Sequence, residues 1–225
     1  MSTTPRIALI HALKFSIAPI EAAFAELWPQ TQLSNILDDS LSIDRAAAKT
    51  ETEAIQGRMR ELADYGVRAG AEAILFTCSA FGQSIDRVKA QYQIPVLKPN
   101  EAMVEEVTAL GGRVGVIATF APTLETIEPE FDEEARRQGI DIALELVHAE
   151  GAFECLTAGD LDGHDQRITE AARSLAGCDT IVLSQYSMAR AGMAVADATG
   201  VQTFTTPGSA VRKLKQLLVG DNHTG

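Results

Sequence analysis

Cysteines are scarce in this sequence of 225 residues, and no recognisable targeting segment begins it. The three cysteines, Cys78, Cys155 and Cys178, form no CxxC pair and have no metal-type spacing. An odd number of widely spaced cysteines predicts no disulfide framework and no metal site, and it favours a reducing compartment. The first residues lack the charged segment, apolar stretch and cleavage site of a signal peptide. We therefore expect a cytoplasmic protein.

Runs of basic residues and long apolar runs are also missing. The 31 acidic residues outnumber the 19 basic ones, which gives a net charge of −12 at pH 7. This balance argues against partners that need a basic face, such as nucleic acids and anionic membranes. No window approaches the roughly 18 apolar residues that span a bilayer. A small anionic substrate is still compatible with this charge, because backbone N–H groups alone can hold a carboxylate.

Short apolar runs alternate with longer amphipathic segments along the whole chain. Several runs are continuously apolar, which is typical of central parallel strands that are covered on both faces. The predicted strands are Arg6–His11, 32–37, 73–77, 95–97, 114–118, 141–147, 180–184 and 201–205. The predicted helices are 17–28, 45–69, 80–91, 102–110, 125–138, 164–175, 188–199 and 209–218. This alternation predicts an α/β fold with parallel sheets.

An internal repeat divides the chain into two similar halves. The strand that begins at Arg6 matches the strand that begins at Arg113, and the segment ending in Cys78 matches the one ending in Ser184. Three strand-plus-loop units recur at an offset of 106 or 107 residues, as positions 78 and 184 show. We predict two Rossmann-like domains with parallel sheets, related by a pseudo-twofold axis, with the active site in the cleft between them. The expected domains are residues 1–98 plus 207–225, and residues 99–206.

Candidate site residues follow the predicted strands, since ligands of parallel α/β sheets bind beyond the carboxyl ends of the strands. Small hydroxyl or thiol residues cluster there in both halves. The candidate catalytic residues are Cys78 and Ser184, and the candidate substrate-binding residues are His11, Thr77, Ser79, Thr119, Thr123, Gln185 and Tyr186. We expect the Cys78 thiolate to be stabilised at a helix N-terminus, although a small buried structural cysteine is an alternative.

The histidine and the threonines among these candidates also have a structural role as an alternative to a functional one. His11 is either an acid/base group or a hydrogen-bonded histidine at a strand end. Thr119 and Thr123 either bind a carboxylate or cap a helix. His164 and His223 are expected at the surface.

The chain resembles the aspartate/glutamate racemase superfamily over essentially its whole length. The resemblance is carried by the Thr77-Cys78-Ser79 strand end, its counterpart at Ser184, the strand that leads to Thr119, and the twofold repeat. This group includes amino-acid and hydantoin racemases, maleate isomerase and arylmalonate decarboxylase. Membership implies an enzyme without a cofactor, and it implies a small carboxylate substrate in a cleft between two similar domains. A homodimer or a higher homo-oligomer is the expected assembly.

The second catalytic position differs from the racemase pattern. In the racemases two cysteines flank the substrate α-carbon, and Cys78 matches the first of them while Ser184 matches the second. A serine hydroxyl is a poor proton donor or acceptor at neutral pH, so symmetric two-base racemisation is doubtful. We therefore predict an isomerase of the racemase type with Cys78 as acid/base or nucleophile. The alternatives are a decarboxylase or lyase of the arylmalonate decarboxylase type, and a carboxylate-binding protein without catalysis.

Overall fold

Eight short strands form two four-stranded parallel sheets in the computed structural model, which describes residues 4–220. The described residues divide into two compact units. The first contains residues 4–99 and 210–220, and the second contains residues 100–209.

The first unit has the strand order β2-β1-β3-β4. Its elements, in chain order, are β1 (Arg6–His11), α1 (Ile17–Leu27), β2 (Gln32–Leu37), α2 (Ser40–Ala48), α3 (Glu53–Arg68), β3 (Ala73–Phe76), α4 (Gly82–Lys89) and β4 (Val96–Leu97).

The second unit repeats this topology with the strand order β6-β5-β7-β8. Its elements are α5 (Glu101–Thr108), β5 (Gly112–Ala118), α6 (Pro122–Gln138), β6 (Ile142–His148), α7 (Ala152–Thr157), α8 (Leu161–Ala172), β7 (Thr180–Leu183), α9 (Gly192–Thr199) and β8 (Gln202–Thr205). The last helix, α10 (Thr206–Val219), begins in this unit, and its residues from 210 onward belong to the first.

Central strands are buried over most of their length, as their continuous apolar sequences predict. Residues of β3 and β7 are all buried, and β1 is buried from its second residue to its last. In the second unit one apolar cluster joins Ile181 and Leu183 to α8 and α9, and another joins Val182 to α5 and α6. Alternate residues of β7 thus face opposite layers of helices, which is why the strand is apolar throughout.

The predicted fold class is confirmed: two similar α/β domains with parallel sheets. The single helix expected between residues 45 and 69 is wrong, because two helices occupy this segment. Lys49 has a left-handed conformation with φ 57° and ends α2, and the side chain of Thr52 caps α3 by accepting from the Ile55 N–H. No helix among residues 4–220 is long and apolar enough to cross a membrane.

Candidate active site

Strand register brings the candidate residues of each unit to one level at the carboxyl edge of its sheet. In the first unit Ile10 pairs with Phe76, so that His11 and Thr77 come next on neighbouring strands. In the second unit Ile117 pairs with Leu183, and Ser184 follows directly. Parallel strands place such residues at the edge where ligands of α/β proteins bind.

His11 is fully buried, and both nitrogens of its ring have hydrogen-bond partners. Its Nδ1 lies 2.8 Å from Thr77 Oγ1 and 2.8 Å from Ser16 Oγ, and its Nε2 lies 3.0 Å from Asn35 Oδ1. Burial lowers the pKa of His11 below its usual value, although the hydrogen bond to Asn35 and the charge of Glu21 oppose this change. His11 therefore lies beneath the edge of the sheet, where it supports Thr77.

Cys78 is half-buried at the point where β3 leads into the 3-10 turn Ser79–Phe81. Burial raises the pKa of its thiol, while a hydrogen bond from the Ala80 N–H and the positive charge of Arg45 lower it. The Arg45 Nε–H also donates to the Ala80 carbonyl oxygen at 3.1 Å, so Arg45 is tied to the turn that carries the thiol.

The expectation of a stabilised Cys78 thiolate is not met, since the net change in the thiol pKa is upward. Helix α4 begins only at Gly82, beyond the 3-10 turn, so the thiol does not lie at its first residue. The Glu51 carboxylate accepts from the N–H groups of Gln83 and Ser84 at 3.1 and 2.8 Å. An anion already occupies the start of α4. Burial is what favours the neutral thiol.

Ser184, the counterpart of Cys78, is buried with its hydroxyl engaged. Its Oγ–H donates to the Ile117 carbonyl oxygen at 2.8 Å, and the same oxygen accepts from the Ser184 N–H at 3.1 Å. The hydroxyl hydrogen is thus committed to the backbone.

Thr119 and Gln185 are joined directly by hydrogen bonds. The N–H and Oγ–H of Thr119 donate to Gln185 Oε1 at 2.6 and 2.9 Å. Thr123 is buried in the first turn of α6. Tyr186 is buried, its hydroxyl has no hydrogen-bond partner among residues 4–220, and burial raises its pKa above the usual range. The candidates of the second unit thus include the hydrogen-bonded pair Thr119 and Gln185, and Tyr186, whose hydroxyl has no hydrogen-bond partner among the described residues.

Several side chains of this site were not predicted from the sequence. Ser16, Asn35 and Glu21 complete the surroundings of His11, and Arg45 acts on Cys78. Their sequence positions carry no motif, because each meets its partner across a different element.

His164 is fully buried, and its Nδ1 lies 2.8 Å from Asp165 Oδ1, so its predicted surface position is wrong. His223 lies outside the described residues.

Comparison with known proteins identifies the family. A sequence model described as Asp/Glu/Hydantoin racemase matches residues 19–214, which is most of the chain. The chain belongs to the aspartate/glutamate/hydantoin racemase family. No curated protein matches the sequence significantly. The predicted superfamily and the prediction of an isomerase-type enzyme are confirmed at the level of this family.

Solved racemases share the fold of this racemase-family chain at low sequence identity. A glutamate racemase isoform from Bacillus anthracis superposes with a TM-score of 0.73 at 13% identity, over 97% of this chain and 83% of that one. An aspartate racemase from Picrophilus torridus superposes with a TM-score of 0.72 at 10% sequence identity, over 94% of this chain and 93% of that one. An allantoin racemase from Pseudomonas fluorescens superposes with a TM-score of 0.65 at 16% sequence identity, over 95% of this chain and 90% of that one. These likenesses concern the fold.

Proposed function

We propose that this racemase-family chain acts on a small carboxylate without a cofactor, with Cys78 as the acid/base or nucleophilic group. The observation that carries the proposal is the setting of the thiol. Cys78 follows a buried central strand and is half-buried, and the Ala80 N–H and Arg45 both favour its anionic form. A half-buried thiol beside a cation and a backbone donor suits proton transfer or nucleophilic attack.

The remaining candidates are proposed to bind or orient the substrate. Hydroxyl, amide and phenol groups at strand ends can hold a carboxylate without a guanidinium group. These candidates are His11, Thr77, Ser79, Thr119, Thr123, Gln185 and Tyr186. Ser184 matches the second catalytic position of the racemases, and we propose that its engaged hydroxyl has a supporting role and no share in proton transfer. The unpaired state of all three cysteines supports the proposed cytoplasmic location.

A decarboxylase or lyase reaction is the second candidate, and the raised pKa of Cys78 favours it. A thiol that stays protonated at neutral pH can give its hydrogen to a carbanion left by loss of carbon dioxide. A racemisation needs the thiolate first, so its rate should rise about tenfold per pH unit until the raised pKa of Cys78 is reached.

The test measures exchange at the α-carbon. The protein is incubated in D₂O with both enantiomers of aspartate and glutamate, with allantoin, and with disubstituted malonates. Loss of the α-proton signal in proton NMR reports racemase chemistry, and release of carbon dioxide reports decarboxylation. We expect Cys78→Ala to lower the rate by about 10²–10⁴-fold, the usual contribution of a positioned acid or base.

Two further variants complete this experiment. Cys155→Ala removes another half-buried cysteine, in α7, and should leave the rate unchanged. Ser184→Ala should retain most of the rate. Full turnover by Cys78→Ala would contradict the role given to Cys78. A wild-type protein that is inert with every substrate class would contradict the enzyme proposal and favour a carboxylate-binding protein.

A further inference from the structure

A continuous chain of hydrogen bonds surrounds His11 inside the first unit. It begins at Glu21 in α1, whose Oε1 accepts from Asn35 Nδ2 at 2.7 Å. Asn35 Oδ1 lies 3.0 Å from His11 Nε2, and His11 Nδ1 lies 2.8 Å from Thr77 Oγ1. Ser16 Oγ is also 2.8 Å from Nδ1 and 2.9 Å from Thr77 Oγ1.

The chemistry of these groups decides where the histidine carries its hydrogen. A carboxylate only accepts hydrogen bonds, so the amide of Asn35 must turn its NH₂ group to Glu21 and its oxygen to His11. That oxygen also only accepts, and therefore Nε2 of His11 carries the hydrogen. Neutral His11 is left with Nδ1 as an acceptor that faces the two hydroxyls.

The direction of the Thr77 hydroxyl follows from this tautomer. Ser16 Oγ–H donates to the Leu13 carbonyl oxygen at 2.8 Å, whereas the distance from Thr77 Oγ1 to the Ile10 carbonyl oxygen is 3.3 Å. Since Ser16 gives its hydrogen to Leu13, Thr77 is the hydroxyl left to donate to Nδ1, and we assign its hydrogen there. When His11 is protonated, Nδ1–H becomes a donor, and the Thr77 hydroxyl turns its hydrogen away from the ring.

We propose that His11 takes up one proton when a carboxylate binds at the hydroxyl of Thr77. In the bound state Nδ1–H donates to Thr77 Oγ1, and the Thr77 hydroxyl donates to the carboxylate. The proton comes from water, and no covalent bond of the ligand changes. This inference rests on the proposed function, since it assigns part of the binding of a carboxylate substrate to the first unit.

Position favours an anion here, and the protonated ring would supply the positive charge that holds it. Thr77 and Ser16 are 7% and 6% exposed, so they lie at the border between the buried chain and the edge of the sheet. Ser16 also precedes the first turn of α1 without capping it by its side chain. The groups that face the ring are Glu21 from α1, Asn35 from β2, Ser16 from the turn before α1, and Thr77 after β3. Glu21 is the charged one among them, and a bound carboxylate would stabilise the imidazolium further.

Proton uptake by His11 makes carboxylate binding stronger at lower pH. In the free protein burial lowers the pKa of His11 from 6.5, so the ring is neutral at pH 7. A bound carboxylate raises this pKa. Between the free and the bound pKa the affinity for a carboxylate should increase by up to about tenfold for each unit of decrease in pH.

The experiment is a ¹⁵N NMR titration of histidine-labelled protein with sodium acetate, using sodium chloride at equal ionic strength as the control. In the free protein we expect the Nε2–H tautomer at His11. Acetate should raise the pKa of His11, chloride should not, and the signals of His148 and His164 serve as internal references. A His11 pKa that acetate leaves unchanged, or an Nδ1–H tautomer in the free protein, overturns the proposal.

Two variants at Thr77 test whether its hydroxyl is needed for the response of His11 to acetate. Thr77→Val removes the hydroxyl at nearly constant volume and should abolish the response to acetate, while Thr77→Ser should keep it. If Thr77→Val does not fold, Thr77→Ser and the wild-type titration still decide the question. The titration requires no turnover, so an acetate response in a protein that is inactive on every substrate would refute the enzyme proposal alone.

Discussion

Opposing influences act on the thiol of Cys78, and each can be assigned to a group. Burial raises its pKa, and the Ala80 N–H and Arg45 lower it. Arg45 contributes twice, since it supplies a positive charge and holds the Ala80 carbonyl oxygen. Removing its charge should therefore raise the pKa of Cys78 further.

We predict that Arg45→Gln slows alkylation of Cys78 by iodoacetamide about threefold to tenfold at pH 7.5, because a smaller fraction of the thiol is ionised. Arg45→Lys keeps the charge and should lie between this variant and the wild type. The matched control is Arg68→Gln, which removes an exposed arginine from α3. Mass spectrometry of the Cys78 peptide gives the rate against pH. An unchanged profile for Arg45→Gln would show that the arginine does not act on the thiol.

At the scale of the element, α3 contains two glycines, of which one has no room for a side chain and the other has open space around it. A Cβ atom on Gly66 would lie 2.8 Å from Ala8 Cβ in β1, whereas one on Gly57 would meet no atom within 4 Å. The close approach of α3 to β1 thus depends on the missing side chain of Gly66, while Gly57 is an ordinary glycine in a helix interior.

We predict that Gly66→Ala lowers the free energy of unfolding by about 1–3 kcal/mol through overpacking. Gly57→Ala should raise it by roughly 0.5–1 kcal/mol, because alanine favours the helix. Since both changes add one methyl group to the same helix, each serves as the control for the other. Urea denaturation followed by circular dichroism measures both values, and equal changes in the two variants would contradict the packing described for Gly66.

Elements were well predicted where the sequence itself carries their signal. The predicted strands Arg6–His11 and 32–37 match β1 and β2 residue for residue. Burial on both faces explains the continuous apolar sequence of β1, whereas β2 is a partly exposed edge strand of mixed sequence. The break between α2 and α3 was missed, since a lysine in the left-handed region has no sequence signature and the flanking segments are both helical. The short helix α7 was missed because its six residues span less than two turns, which is too few to show a helical repeat of apolar residues.

Only those candidate site residues that directly follow a strand in the sequence could be predicted. Cys78 and Thr77 follow from the end of β3. The partners Asn35 and Glu21 do not, because their roles depend on side-chain contacts across three elements. The direction of the Cys78 pKa shift also required the structure, since it depends on burial and on where α4 begins.

At the scale of the whole molecule, the chain leaves the first unit at residue 99 and returns to it at residue 210. The returning part of α10 brings Val211 and Leu214, which are fully buried, and Lys215 Nζ–H donates to the Leu27 carbonyl oxygen at 3.0 Å. Burial of two such apolar side chains stabilises a fold by about 1.5–3 kcal/mol each. The second unit needs no such return, since residues 100–209 contain its complete sheet and the helices of its two apolar clusters.

We therefore predict that a fragment of residues 100–209 folds by itself and unfolds cooperatively in urea, as a domain of this size with its own core should. A fragment of residues 1–99 should fold poorly, because it lacks the apolar residues that α10 supplies. The two fragments are compared by circular dichroism and by dispersion of amide signals in NMR. Adding residues 210–225 to the first fragment through a flexible linker should restore its fold. Disorder in the 100–209 fragment, or equal stability of residues 1–99 with and without the added helix, would contradict this division of the chain.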